Sequence, residues 1–460
     1  MVILMVIQSV IIAVILSVFL SGIPCAAAEW MFPDASSRQA PKVTVAADGT
    51  LITTYIVQSG RDAKVMMSTS ADHGLVWSAP LQISTVLYGT IGLQRQPITV
   101  KAPNGTLHAI WENVRTGNTL SIYHTRSTDG GVTWTTPTPV YLVNDGRSQD
   151  FSSIAVAPNG TIYVSFLSAD LNALDGLQHV LVVRSMDDGV SWTKPVRADM
   201  FTEGGACECC QQNIAVSREG LVAIAFRSNI NNRRDVFLAL SADSGASFIT
   251  PVPIQTGTWT IDACPATGPS LMFDTTGMLH TSWRDTRDAV GRNVVYYARY
   301  LPFSRMMVQN IDLSTGHADE AEYPFVAASP SGEEVAVIFE SSRGVQIARS
   351  RDGGQTFQHQ VVDPLTTHTA YPHIVWTQDG HPFAAWRSIR SGISDIQVVR
   401  EGATSVREWG IGNGEWGIRR TFDLMGRECD PTPGRPAFVV TSYPDGTLTR
   451  KVILPGNPIR

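Results

Sequence analysis

The chain has 460 residues, 43% of them hydrophobic and 17% charged. That balance supports a large core and excludes an intrinsically disordered protein. The formal net charge of −6 and pI near 5.9 argue against nucleic acid as a partner, because phosphate contacts need clustered Lys and Arg.

Residues 1–28 read as an export signal. Met1 to Leu20 is an uncharged apolar run, and it is followed by the small residues Ala26, Ala27 and Ala28, an A-x-A-like cleavage site. Cleavage after Ala28 is the expectation. The alternative is an uncleaved N-terminal anchor, since the run is long enough to span a bilayer. Either way the body is extracytoplasmic, secreted or periplasmic, and touches a membrane only through this segment. Removing Cys25 leaves Cys207, Cys209, Cys210, Cys264 and Cys429. Export favours disulfides, and an odd count leaves one thiol over.

Beyond the signal, one pattern returns seven times: a strand, a Gly turn and a second strand, as in "PKVTVAADGTLITTYI", "QPITVKAPNGTLHAIW" and "PHIVWTQDGHPFAAW". The turn glycines are Gly49, Gly105, Gly160, Gly220, Gly277, Gly332 and Gly380. Alternating β-branched and aromatic residues around Asn-Gly or Asp-Gly signal β-hairpins. The "PNGT" asparagines Asn104 and Asn159 match a glycosylation sequon, but they read better as hairpin turns. A second pattern, Ser-x-Asp-x-Gly-x-x-Trp/Phe, keeps the same step. Its aspartates are Asp72, Asp129, Asp187, Asp243 and Asp352, separated by 57, 58, 56 and 109 residues. The last gap is close to two periods, so one copy has decayed near "YYARYLPFSRM".

No helical periodicity interrupts these repeats. An all-β repeat of about fifty residues with four strands per unit predicts a β-propeller. Seven hairpins favour seven blades over six. The tail "RPAFVVTSYPDGTLTRKVIL" resembles one more hairpin, which keeps six blades plus an irregular closure open. The predicted organisation is a propeller over 29–400, with 401–460 an irregular segment carrying a closing hairpin in the same domain.

Strands alternate in direction, so the turns between strands two and three share a face with the connections between blades. The residue just after strand two is Glu112, Arg227, Arg284, Glu340 or Arg387, with Leu167 in the third blade. The connections before strand one hold Cys207, Cys209, Cys210, Cys264, Glu320, Glu322, Tyr323, His368, Tyr371 and His373, together with Arg95 and Asp150. This face is predicted to carry an Arg/Glu-lined funnel.

The five Asp-boxes resemble those of the sialidase superfamily of BNR repeat proteins, over nearly the whole mature chain. The resemblance implies that Asp72, Asp129, Asp187, Asp243 and Asp352 build turns and do not catalyse. It also implies a sugar carboxylate held by three arginines and a tyrosine nucleophile with a glutamate partner. By position the arginines are Arg227, Arg284 and Arg387, with Glu112 beside them on the ligand. The nucleophile is Tyr371 or Tyr323, and its partner is Glu340, Glu322 or Glu112. The chain departs from the family in blades 1 and 2, where "RQAPKV" and "RQPITV" replace an Arg-Ile-Pro motif. No single Asp stands out as acid/base. The expected partner is a glycan or other small anionic ligand, with sialidase-type hydrolysis as the implied activity. A non-catalytic interaction propeller is the alternative.

The Cys-x-Cys-Cys stretch with "DACP" one blade later resembles a divergent exported subgroup of Asp-box proteins. Two readings of the residues stay open. Cys207 or Cys209 bridges to Cys264, or Cys207, Cys209, Cys210 and Cys264 hold copper or zinc with His368 or Glu208 as a spare ligand. Cys429 is free to pair with whichever cysteine remains. The carbohydrate reading requires no cofactor.

Overall fold

The computed structural model describes residues 29–32, 37–59, 62–84, 87–88, 96–114, 120–142, 147–169, 176–287, 292–302, 304, 306–318, 320–364, 371–390, 392–400, 418–422, 437–442 and 448–453. The expected export signal, Cys25, Arg95, His368 and Cys429 lie outside these residues. Among the described residues no helix is long and apolar enough to cross a membrane.

The repeats fold into a β-propeller of seven four-stranded antiparallel blades. The innermost strands are Arg38–Val45, Ile98–Lys101, Asp150–Val156, Asn213–Val216, Ser270–Phe273, Ala321–Ala328 and His373–Trp376 for blades 1 to 7. Each pairs with the second strand of its predicted hairpin. The turns form as the sequence demands: Gly105 and Gly160 take φ of 90° and 86°, and Asn104 and Asn159 each accept the N–H two residues on, at 3.0 Å. Glycine adopts that backbone without the Cβ penalty, and the side-chain oxygen closes an Asx-type turn.

Among the described residues, blade 7 takes no fourth strand from the sequence that follows it. Its third strand, Ile393–Arg400, pairs instead with Glu29–Trp30, in the register Glu29 with Val398 and Trp30 with Gln397. Met31 and Phe32 then bury against Tyr55, Phe383 and Val398, between blades 7 and 1. This closure leaves no open sheet edge between the two ends of the ring. It also explains why seven blades carry five boxes. In blade 5 the sequence between the third and fourth strands, Val294–Leu301 and Met306–Asp312, has lost the box, and blade 7 takes its fourth strand from the start of the chain. The hairpin read in the tail forms strands Ala437–Ser442 and Leu448–Ile453, and the first of them also pairs with Ile418–Phe422 in a separate three-stranded sheet. Contacts divide the chain into Ala28–Val398 and a second unit of Met1–Ala27 with Val399–Arg460.

The boxes are turns. In blade 4, Ser241 Oγ donates to Asp243 Oδ1 at 2.7 Å and accepts from Gly245 N–H at 2.8 Å, while Ser247 N–H donates to Asp243 Oδ1 at 2.9 Å. The same set recurs at Asp72, Asp129, Asp187 and Asp352. These hydrogen bonds favour the ionised carboxyl and hold Asp129, Asp187 and Asp243 down to about 2. Each box aromatic packs toward the preceding blade: Trp134 on the Ile52–Leu107 cluster, Trp192 on Ile98 and Ile162, Phe248 on Tyr163 and Phe226. The box therefore serves the interface between blades.

Candidate functional site: the axial mouth

The innermost strands begin on the face opposite the boxes. There every blade contributes to one axial opening with an empty volume of about 540 Å³, open solvent at its mouth included. Tyr323 enters it from blade 6 and Tyr371 from blade 7. The Tyr371 hydroxyl donates to the Tyr323 hydroxyl at 3.4 Å, and the two ring centroids lie 4.3 Å apart. Both tyrosines have positive φ, 49° and 44°. The equivalent residues Ala40 and Phe151 share it, at 54° and 53°. The pairing register slips at this point in blades 1, 3 and 6. The strained backbone is thus a recurring bulge that aims side chains at the axis, not a device peculiar to the tyrosines.

Two carboxylates stand beside the pair. Glu322 and Glu340 face each other across the first two strands of blade 6. Glu322 Oε1 accepts from Asn293 Nδ2 at 2.6 Å and from Arg284 Nη2 at 3.2 Å. Burial pushes the Tyr323 phenol well above its ordinary value; the hydrogen bond from Tyr371 and the charges of Glu322 and Glu340 push the same way. Tyr323 therefore stays protonated and suits a donor better than a nucleophile. Tyr371, Glu340, Glu322 and Arg284 lie on blades 5 to 7, with Arg284 on Glu322, Glu322 opposite Glu340 and Tyr371 on Tyr323.

Two of the predicted ligand residues need correction. Arg227 is 1% exposed, and its guanidinium donates to three backbone carbonyls: Arg234 O at 2.6 Å, Arg284 O at 2.6 Å and Thr267 O at 3.4 Å. It fastens blade 4 to blade 5 and presents no open fork. Glu112, 3% exposed, accepts from Ser152 N–H at 2.8 Å and Ser152 Oγ at 3.2 Å, fastening blade 2 to blade 3. Arg387 is half-buried and donates from Nε to Ser394 Oγ at 2.7 Å. The three arginines do not converge on one ligand, because each is drawn to a different blade.

Sequence reading missed Lys42. It sits on the innermost strand of blade 1, half-buried, and lines the opening. Its amine lies 4.5 Å from the centroid of Phe325. The signal was a charge within the alternation of "PKVTV", at a position that the pleat turns toward the axis.

The cysteines flank this mouth. Cys209 and Cys264 form a disulfide that joins the connections entering blades 4 and 5. This realises one of the two open readings, and it corrects the four-sulfur metal set, since two of the four are bonded to each other. Cys207 and Cys210 are buried thiols, with Sγ atoms 2.8 Å apart and Cys209 Sγ 3.6 Å from Cys207. A hydrogen bond with Cys210 brings Cys207 down to about 7, helped by Arg227 and Arg234, while burial pushes Cys210 up. Glu208 is not free as a ligand: it takes Arg234 Nη1 and Asn229 Nδ2, each at 3.0 Å. The bridged loops lead straight into the axial lining. They approach so closely that a Cβ on Gly268 would lie 1.6 Å from Gln211 O.

Ring closure, boxes and axial mouth together define a seven-bladed β-propeller with Asp-box turns. In agreement, residues 91–260 match the family model described as a BNR repeat-like domain. Similar solved structures include a protein of unknown function from Dyadobacter fermentans, at 12% identity, covering 83% of this chain and 99% of that one with a TM-score of 0.52. An ulvan lyase bound to -[GlcA(1-4)Rha3S]- is similar at 11% identity, with 79% and 93% coverage and a TM-score of 0.52. A Hadza microbial sialidase is similar at 16% identity, with 79% and 65% coverage and a TM-score of 0.45. At such identities the likeness is one of fold.

Proposed function

We propose that this chain is an extracytoplasmic propeller that binds an anionic carbohydrate at its axial mouth. One observation carries the reading: a tyrosine pair lines the opening beside a Glu322–Arg284 ion pair and Glu340. Aromatic rings give a sugar apolar faces to rest on, and the carboxylates and guanidinium give its hydroxyls directional partners. The ulvan lyase with its GlcA-containing ligand supports an acidic saccharide as the class to try first. For a sialidase-type step, Tyr371 is the better placed phenol and Glu340 or Glu322 its partner. The blade-to-blade role of Arg227 removes one arm of the arginine clamp that such a step uses. Binding is therefore the primary function on this reading.

The test is a glycan-array screen of the mature chain with acidic and neutral oligosaccharides, followed by assay of the binders and a fluorogenic sialoside for turnover. Binding of acidic glycans, weakened at least tenfold in Tyr371→Ala and Arg284→Gln, is the expected result. Uniform failure to bind any glycan would overturn the reading. A second reading rests on the free thiols of Cys207 and Cys210, whose Sγ atoms lie 2.8 Å apart. As thiolates the two would select copper(I) or zinc. Metal content of protein purified without chelator decides it, with less than about 0.1 ion per chain, an order-of-magnitude threshold, excluding a resident metal.

A further inference from the structure

Lys42 is the only residue with a formal charge among the described residues lining the axial opening. No carboxylate reaches it among them. Its one described contact is the face of Phe325, which in turn lies 3.7 Å, centroid to centroid, from His373 on blade 7. His373 carries no compensating charge. It is buried, its Nδ1 accepts the Val43 N–H at 3.4 Å, and burial and the nearby Lys42 keep it well below its ordinary value. The remaining titratable lining groups are Tyr323 and Tyr371, and burial keeps Tyr323 protonated. The Lys42 amine thus stands in the lining without a carboxylate on it among the described residues, while Glu322 and Glu340 act on Tyr323.

The rest of the lining is suited to hold a carboxylate. Tyr323 accepts the hydrogen of Tyr371, which leaves its own O–H to donate. Asn213 offers a carboxamide at the same level. Gln211, also in the lining, has a buried carboxamide oxygen with no partner among the described residues. Rotation about its last torsion exchanges that oxygen for the NH2 donor of the same carboxamide. Gln96 and Gln212 are by contrast fixed, the first on Pro41 O and the second on Ser165 and Phe151. Donors around an ammonium select an oxygen anion, and a carboxylate fits an opening whose other lining residues carry no formal charge.

We propose that the axial opening is a carboxylate-binding site, with Lys42 as the counter-ion and Tyr323, Asn213 and Gln211 as neutral donors. The carboxylate belongs to a free organic acid or to a sugar acid; the chemistry is shared. The inference deepens the carbohydrate reading by naming the seat of the ligand's acid group, and rests on that reading only for the sugar.

Proton linkage gives the site a signature. Burial brings the Lys42 amine down to about 7, and a bound carboxylate favours the charged form and raises it again. Affinity is then level below pH about 6 and falls roughly tenfold per unit above about 7, with a proton taken up on binding. The experiment is calorimetric titration of the mature chain with acetate, glucuronate and glucose, in buffers of differing ionisation enthalpy, at pH 6 and pH 8.5. Saturable binding of acetate and glucuronate but not glucose, with proton uptake near neutral pH, is expected. Lys42→Met is expected to abolish it at unchanged or raised thermal midpoint, and Lys42→Arg to retain binding without the pH dependence. Acetate binding without glucuronate binding upholds the site and sinks the sugar reading. Carboxylate binding that survives in Lys42→Met, or its absence from the wild type at both pH values, overturns the proposal.

Discussion

The Cys209–Cys264 bridge closes a loop across the interface of blades 4 and 5, with a sequence separation of 55. In the chain-entropy treatment a loop of that length restricts the unfolded chain by about 4 kcal/mol. The unit Ala28–Val398 has roughly 370 residues, which at about 2.1 cal/mol/K per residue of unfolding entropy converts 4 kcal/mol into a drop of about 5 °C. The variant must remove both cysteines. Cys264→Ser alone would leave a Cys209 thiol 3.6 Å from Cys207 Sγ, where a substitute bridge can form. The assay is thermal unfolding of the wild type and of Cys209→Ser/Cys264→Ser, with and without reductant, beside a non-reducing peptide map. The wild type should melt about 5 °C higher than the variant when oxidised, and reductant should erase most of that gap while leaving the variant unchanged. Equal midpoints for the oxidised proteins, or a map that pairs Cys264 with Cys207, would refute the reasoning.

Arg227→Met tests whether Arg227 is a fastener between blades. Three buried carbonyls lose a charged donor, and the expected cost of about 3–5 kcal/mol lowers the midpoint by about 4–6 °C; a midpoint within about a degree of wild type returns Arg227 to the list of ligand groups. The boxes predict an acid limb of stability. Asp187 and Asp243 titrate near 2 in the fold against 3.8 for the free group, so their contribution is complete above about pH 4 and disappears as pH falls toward 2. Melting curves between pH 7 and 2.5 should therefore flatten in Asp187→Asn/Asp243→Asn relative to wild type, and identical pH profiles would show that the boxes do not set the acid limb.

The repeat was legible because each unit declares itself locally. Gly105 and Gly160 need their turns wherever the blade lies, and Asp129 finds its partners within four residues. The closing strand was not legible. Glu29–Trp30 is two residues long, and its partner lies more than 360 positions away at Gln397 and Val398. The bridge was half legible: spacing brought Cys264 to the right loop, but only the paired backbone of Gly205–Ala206 with Ser228 and Asn229 decides which sulfur it meets. Lys42 was passed over because a lone lysine in a strand carries no motif. Its meaning comes from neutral neighbours contributed by the other six blades.

Equivalent positions in a repeat protein invite the inference of equivalent roles, and at Glu112 and Arg227 that inference points away from the ligand, whereas the Arg284–Glu322 pair both joins two blades and stands beside the tyrosine pair. The charged residue after strand two repeatedly reaches the entry of the next blade. Glu112 takes Ser152 of blade 3, Arg227 takes Thr267 ahead of blade 5, and Arg284 takes Glu322 of blade 6. Arg387 reaches Ser394, whose hydroxyl donates to Arg38 O of blade 1. A propeller has no continuous hydrogen-bonded sheet around its ring, so each blade must be held to the next by side chains. Buried charges aimed at backbone and at opposite charges do that directionally, where apolar packing alone would permit sliding. A ring of charges so employed is conspicuous in the sequence because it repeats. A ligand site at the axis has no reason to repeat, since the ligand is not sevenfold symmetric. The residues that distinguish one propeller's chemistry from another's should therefore be those that break the pattern on the innermost strands: here Lys42, Tyr323 and Tyr371.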